Sequence, residues 1–184
     1  MSAAEYLEAE MESEIRHEFL AGEVHAMAGA SKAHNILSCN IIVALHSALR
    51  GTPCRAFMND VKLRVEAFGG ESYYYPDLIV ACDPRDTDPY YIQFPKVVVE
   101  VMSETTARID AREKLWCYTN IESLEEYVLV SQSAPEITVF RRSRNWRPEK
   151  LATLADTLRL ESLSFSLPLA EVFEGVDGIA HQGG

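Results

Sequence analysis

"KVVVEVMSE", residues 96–104, reads as a buried strand with a charge in its middle. Val97, Val98 and Val99 lead into Glu100 and Val101 follows, so a carboxylate stands inside a run built to exclude water. Leaving an ionised carboxylate without a partner in a dry interior costs roughly several kcal/mol. A cation or a set of hydrogen-bond donors is therefore expected to meet Glu100, and the flanking sequence is where to look for it.

Upstream lies "YYYPDLIVACD", residues 73–83, in which Asp77 follows Pro76 and precedes the apolar run 78–81. Proline suits the first residue of a strand, so Asp77 belongs at a sheet end. If that strand neighbours the Glu100 strand, the two carboxylates can converge on one cation. Magnesium takes one or two carboxylates at about 2.0–2.1 Å and completes its shell with waters and phosphates.

Downstream, "TTARIDAREKLWCY", residues 105–118, predicts a helix from about Thr106 to Thr119 between two apolar strands. A strand–helix–strand crossover of this kind implies parallel neighbours, hence a mixed sheet with helices packed on it. Side chains two apart on a strand share a face, so position 102 is the natural place for a lysine beside Glu100, but it holds Met102. Lys114, one turn after Asp110, has a stem long enough to reach back over the sheet end, with Arg108 and Arg112 as weaker candidates.

Farther out, Ser2 and Glu5 have capping-box spacing ahead of a short helix over residues 3–9. Strand-like runs at 15–20 and 23–27 flank Ala21-Gly22, which predicts a tight hairpin. Ser31 opens the strongest helix, in which Ile36, Leu37, Ile41, Leu45 and Leu49 recur at helical spacing until Gly51. Short runs at 54–58, 61–67, 73–81, 97–102, 126–131 and 136–142 complete the strands. The expectation is one domain over residues 1–184 with its core at about 3–175, and "HQGG" at the end frayed.

With 184 residues and 47% hydrophobic composition, one core burying about 70% of the unfolded chain's surface is expected. The net charge of −11 repels polyanions and weighs against nucleic acid as a partner. No apolar run approaches the ~18 residues of a membrane span, and the acidic N-terminus is unlike a secretory signal, so a cytoplasmic protein is expected. Cys39, Cys54, Cys82 and Cys117 are widely spaced with no CxxC pair, which favours reduced, buried thiols over a zinc site or a disulfide framework.

Each candidate has an ordinary structural alternative. Asp77 after proline suits a turn in which it caps its own backbone. Glu100 can be an edge residue or the partner of an arginine such as Arg108, and Lys114 can pair with Asp110 one turn away for about 0.2–0.5 kcal/mol. Glu18 reads as a solvent-facing strand residue, and His34 as a hydrogen-bonded partner inside the fold. "VFRRSRNWRPEK", residues 139–150, gathers Arg141, Arg142, Arg144, Arg147 and Lys150 around Trp146, which suits either a phosphate clamp or the wet face of a hairpin. "ACDPRDTDPYY", residues 81–91, lacks the glycine and distal glutamate of a calcium loop and is expected to be a surface loop.

"YPD" at 75–77, "VEVMS" at 99–103 and the helical D-x-x-x-K-x-x-x-Y of Asp110, Lys114 and Tyr118 together resemble the Uma-two family of restriction endonucleases, a branch of the PD-(D/E)XK nuclease superfamily. The resemblance extends to "EFLAGEVHAMAGAS" at 18–31, the helix holding His34, and "MNDVKLRV" at 58–65, so it spans about residues 3–175. It implies an α/β (α+β) restriction-endonuclease-like fold, a mixed central β-sheet flanked by helices with an N-terminal β-hairpin. It further implies that Asp77 and Glu100 bind Mg²⁺, with Mn²⁺ as a substitute. Lys114 then takes the role left vacant at Met102, and Glu18 supplies an additional acid. DNA is the implied substrate and a homodimer or higher homo-oligomer the implied assembly. A second expectation, of a different class, is a nuclease-fold interaction module without turnover, for which the −11 charge and Met102 speak.

Overall fold

The computed structural model describes residues 1–67, 69–102 and 110–178, the side chains of 67 and 110–112 excepted. Local capping chemistry places the first elements. The Ser2 hydroxyl accepts the Glu5 N–H while the Glu5 carboxylate accepts the Ser2 N–H, opening α1 (Ala3–Glu12), which runs three residues past the predicted end. Ala21 and Gly22, both at positive φ, turn β1 (His17–Leu20) into β2 (Glu23–Ala26). Ser31 caps α2 (Lys32–Ala48) by accepting the His34 N–H, and Leu37, Ile41 and Leu45 of that helix are fully buried.

The chain continues through β3 (Arg55–Met58), β4 (Lys62–Ala67), β5 (Gly70–Tyr74), β6 (Leu78–Ala81), β7 (Tyr91–Ile92) and β8 (Pro95–Met102). Then follow α3 (Asp110–Thr119), β9 (Glu126–Ser131), β10 (Ile137–Arg141), β11 (Pro148–Leu151), β12 (Thr157–Leu160), β13 (Phe165–Pro168) and α4 (Leu169–Val172). The predicted strand 73–81 is two strands. Tyr75-Pro76-Asp77 divides it, because proline has no N–H to give a ladder, and β5 and β6 enter different sheets. The predicted start of α3 at Thr106, and the frayed "HQGG", lie outside the described residues.

Among the described residues the strands form a five-stranded sheet in the order β2-β1-β5-β4-β7, a six-stranded sheet β11-β10-β9-β8-β6-β3, and the pair β12-β13. β8 and β9 are parallel and joined through α3, which is the predicted crossover. The fold is thus mixed α+β, with helices flanking mixed sheets. The six-stranded sheet is buried on both faces. Val97 and Val99 of β8 join Leu78 and Val80 against Leu37, Ile41 and Leu45 of α2. Val98 faces the other way, into Ile79, Tyr127, Cys117 and Tyr118, with Leu63 and Tyr74 arriving from the five-stranded sheet. A strand covered on both sides has no polar face, which accounts for the unbroken valines.

The cysteine expectation is corrected. Cys54 and Cys82 form a disulfide with Cα atoms 4.0 Å apart, while Cys39 and Cys117 are free thiols, the first exposed and the second buried. Arg55 pairs with Ala81 in the β3–β6 ladder, so the two cysteines fall opposite each other one step beyond it. Spacing along the chain carries no information about that register. Among the described residues no helix is long and apolar enough to cross a membrane.

Candidate functional site

The site grows from the register of β6 on β8. Leu78 pairs with Val99, antiparallel, so Asp77 falls opposite Glu100 one step on. Asp77 does not cap its own turn. Its Oδ2 accepts the Val101 N–H of the neighbouring strand at 2.6 Å, and its Oδ1 lies 3.0 Å from Nε2 of His34. His34 sits in the first turn of α2, where the Ser31 cap fixes the backbone that carries it. Asp77 therefore ties the sheet end to the helix layer beneath it.

Glu100 is met by side chains of α3. Its Oε1 accepts the Tyr118 hydroxyl at 3.0 Å and the Lys114 ammonium at 3.3 Å, from side chains one turn apart on one helix face. Lys114 also donates to Oε1 of Glu18 at 3.1 Å, and that oxygen accepts the Tyr75 N–H at 3.3 Å. The same ammonium lies over the Tyr74 ring, 5.6 Å from its centroid. One cation thus bridges a carboxylate on β1, in the five-stranded sheet, and a carboxylate on β8, in the six-stranded sheet. Side-chain exposure is 10% for Lys114, 15% for Glu18 and 9% for Glu100.

The electrostatics follow from this crowding. Burial pushes the Glu100 carboxyl up to about 7, against the pull of Lys114 and with the added push of the Asp77 and Glu18 charges. The bond to Asp77 raises His34 above its ordinary value, burial opposing and the Asp77 and Glu100 charges helping. Burial and the Glu100 charge hold the Tyr118 hydroxyl protonated. When Glu100 is ionised, three carboxylates stand against one ammonium and one imidazole, so the cluster carries excess negative charge even with His34 protonated.

The structure brings Glu18, Asp77, Glu100 and Lys114 into one cluster. Met102 ends β8 beside Ser131 and supplies no charge. Arg108, and the side chains of Arg112 and Asp110, lie outside the described residues. Sequence reasoning did not assign a part to Tyr118 or to the Val101 N–H. The signal for Tyr118 was its place four residues after Lys114.

A divalent ion suits this donor set. Carboxylate oxygens are hard ligands, and Mg²⁺ is commonly held by one or two of them with waters completing its octahedron. Among the described residues no three His, Cys, Asp or Glu side chains converge as a ready metal-holding group. The fit is accordingly to a sparse two-carboxylate site relieving excess negative charge, and not to an all-protein cage.

Four of the five basic residues at 141–150 are bonded within the fold, and Arg147 is exposed. Arg141 is 2% exposed and donates to Glu126, Glu149 and the Arg159 carbonyl. Arg142 donates to the Leu124 and Ile121 carbonyls and lies over Trp146. Arg144 pairs with Glu149 and Glu161, and Lys150 with Glu136. The phosphate-clamp reading gives way to a hairpin knitted by carboxylates. In the 81–91 loop Asp83 binds Arg85, and Asp86 accepts the Gln93 and Phe94 N–H groups.

Comparison with known proteins gives a concordant picture. The Uma2 family, described as "Putative restriction endonuclease", matches residues 3–170. Two proteins of Synechocystis sp. (strain ATCC 27184 / PCC 6803 / Kazusa) are similar. The uncharacterized protein slr1290 is 30% identical over 179 residues, covering 96% of this chain and 93% of that protein. The uncharacterized protein sll1609 is 32% identical over 151 residues, covering 79% and 84%. Among solved structures, a putative nuclease belonging to DUF820 from Anabaena variabilis ATCC 29413 superposes with a TM-score of 0.76 at 15% identity, over 94% of this chain and 97% of that one.

Proposed function

We propose, from the premise that this chain belongs to the Uma2 family of restriction-endonuclease-like proteins, that it is a metal-dependent nuclease hydrolysing DNA phosphodiesters. Asp77 and Glu100 hold Mg²⁺, and Lys114 serves as the ammonium group that other nucleases of this fold carry on the glutamate's own strand. The observation that supports this most directly is the position of Lys114 Nζ, within 3.3 Å of Glu100 and 3.1 Å of Glu18, beside a strand end where the β6–β8 register sets Asp77 opposite Glu100.

The chain's own groups have separable tasks. The Val101 N–H and His34 hold the Asp77 carboxylate in one orientation. Tyr118 and Lys114 do the same for Glu100, and a preorganised charge needs no rearrangement when the reaction develops its own. Lys114 keeps a cation beside the carboxylates, where it can donate to a phosphoryl oxygen or orient the attacking water. Glu18 secures that ammonium as an additional acid. A bound Mg²⁺ would supply Lewis acidity toward the phosphate and lower the pKa of its water.

The test is cleavage of plasmid DNA by the purified protein with Mg²⁺ or Mn²⁺. Glu100→Gln and Asp77→Asn should retain the fold and lose metal-dependent cutting; undiminished cutting by Glu100→Gln removes that residue from the mechanism. The −11 charge, and the use of Lys114 in a buried ion pair, favour a second reading as a nuclease-fold module without turnover. Thermal unfolding separates the two. A metal site raises the midpoint with Mg²⁺ or Mn²⁺ by mass action in the wild type and not in Asp77→Asn, and no shift at millimolar metal selects the module.

A further inference from the structure

Strand β2 is the terminal strand of the five-stranded sheet and has β1 as its neighbour on one side. All four of its residues are exposed, and the exposure continues through Ala30. An apolar stretch, Ala26-Met27-Ala28-Gly29-Ala30, thus lies open to solvent beside Val24, which is 40% exposed. Solitary edge strands are commonly guarded by lysine, proline or a bulge, because their free N–H and C=O groups template pairing with another chain. β2 has neither lysine nor proline, and its pairing with β1 is regular over all four residues.

The direction of its backbone groups can be read from one bond. The Met27 N–H donates to the Arg16 carbonyl at 2.9 Å, on the rung next to the His17–Ala26 pair. Hydrogen-bonded rungs alternate in an antiparallel ladder. Glu23, His25 and Met27 therefore turn their N–H and C=O toward β1, while Val24 and Ala26 turn theirs outward.

The geometry points to a symmetric dimer in which β2 pairs antiparallel with β2 of a second copy, the two-fold axis passing through Val24. In that register Val24 exchanges two main-chain hydrogen bonds with the partner's Val24. Glu23 then stands opposite the partner's His25, and His25 opposite the partner's Glu23. Glu23 and His25 already lie 3.8 Å apart within one chain, so the four groups make a ring of alternating carboxylate and imidazole on one face. A register centred on His25 keeps the backbone phase, through Val24 and the partner's Ala26, but places imidazole against imidazole and Glu23 against the partner's Met27. One centred on Ala26 has the right backbone phase but sets His25 against the partner's Met27.

The pairing joins two five-stranded sheets edge to edge. At about 4.8 Å per strand the two β1 strands would run roughly 14 Å apart. Glu18 of β1 is the cross-strand neighbour of His25, so the two carboxylate–lysine clusters flank the axis. The inference uses the strand edge alone and stands whether or not the cluster cuts DNA.

Sedimentation equilibrium of the full chain decides it, with twice the 20.6 kDa of one chain expected. Val24→Pro removes an N–H that faces away from β1, and Val24→Lys sets two ammonium groups on the axis; each should weaken association at least tenfold with the far-UV spectrum unchanged. Glu23→Lys should do likewise, and the exchange Glu23→His/His25→Glu should restore the dimer. A wild-type chain that stays monomeric up to near-millimolar concentration overturns the inference, as does a dimer that persists in Val24→Lys. Should Val24→Pro disturb the hairpin, Val24→Lys and the charge exchange remain decisive.

Discussion

Lys114 and Glu100 meet with 3.3 Å between ammonium and carboxylate, each more than nine-tenths buried. A pair in that situation does little for net stability, because desolvation offsets attraction, yet removing one member strands the other. Lys114→Met should therefore cost about 3–5 kcal/mol in urea unfolding. The double change Lys114→Met/Glu100→Gln should recover much of that loss. If the two costs simply add, the groups are not coupled as the geometry requires.

The same burial makes stability fall with pH. Glu100 titrates near 7 in the folded protein and near its ordinary 4.5 unfolded, so between those values the folded state binds more protons. Stability contributed by the protonated carboxyl is complete below 4.5 and is lost as pH rises to about 7. Glu100→Gln should remove this part of the pH profile and gain on the wild type above neutrality. Parallel profiles for the two proteins, followed by urea midpoints across that range, would contradict it.

Arginine at 141 and arginine at 147 should behave quite differently. The first is buried among Glu126, Glu149 and a main-chain carbonyl, the second exposed. Arg141→Met should destabilise by about 3–5 kcal/mol, and Arg147→Ala by no more than about 0.5 kcal/mol. Chemical denaturation of both variants checks the ranking, and similar losses would refute the network.

The bridge between Cys54 and Cys82 closes a loop across a sequence separation of 28. Chain-entropy arguments give such a crosslink about 3–4 kcal/mol. Unfolding midpoints with and without reductant should differ accordingly, and Cys54→Ser/Cys82→Ser should match the reduced wild type. An unfolding curve indifferent to reductant would place the thiols apart.

Much of this architecture was legible because local chemistry and tertiary structure agree. The Ser2 and Ser31 caps and the Ala21-Gly22 turn act within a few residues of themselves, and the strand–helix–strand around 97–131 follows from consecutive elements. Glu100 announced its need for a partner, since a carboxylate among valines must be met. What escaped was register. Alternation tells which face a side chain takes, but not which strand lies beside it. The division of 73–81 between two sheets, the Cys54–Cys82 bond, the carboxylates around Arg141 and the Asp77 bond to Val101 all depend on that missing neighbour. β7, β12, β13 and α4 were missed for a simpler reason. They are two to four residues each, too short for periodicity to declare itself.

The cluster draws on β1, α2, the Tyr75–Asp77 segment, β8 and α3, so its last contributors are Lys114 and Tyr118. During synthesis, a ribosome that has released only the first hundred residues has delivered every acid and no ammonium. Until α3 emerges from the exit tunnel and docks, Glu100 has no ammonium or phenol to meet it, and β8 lacks β9 along one edge. Translation order alone therefore keeps the growing polypeptide from assembling this constellation before about two-thirds of it exists.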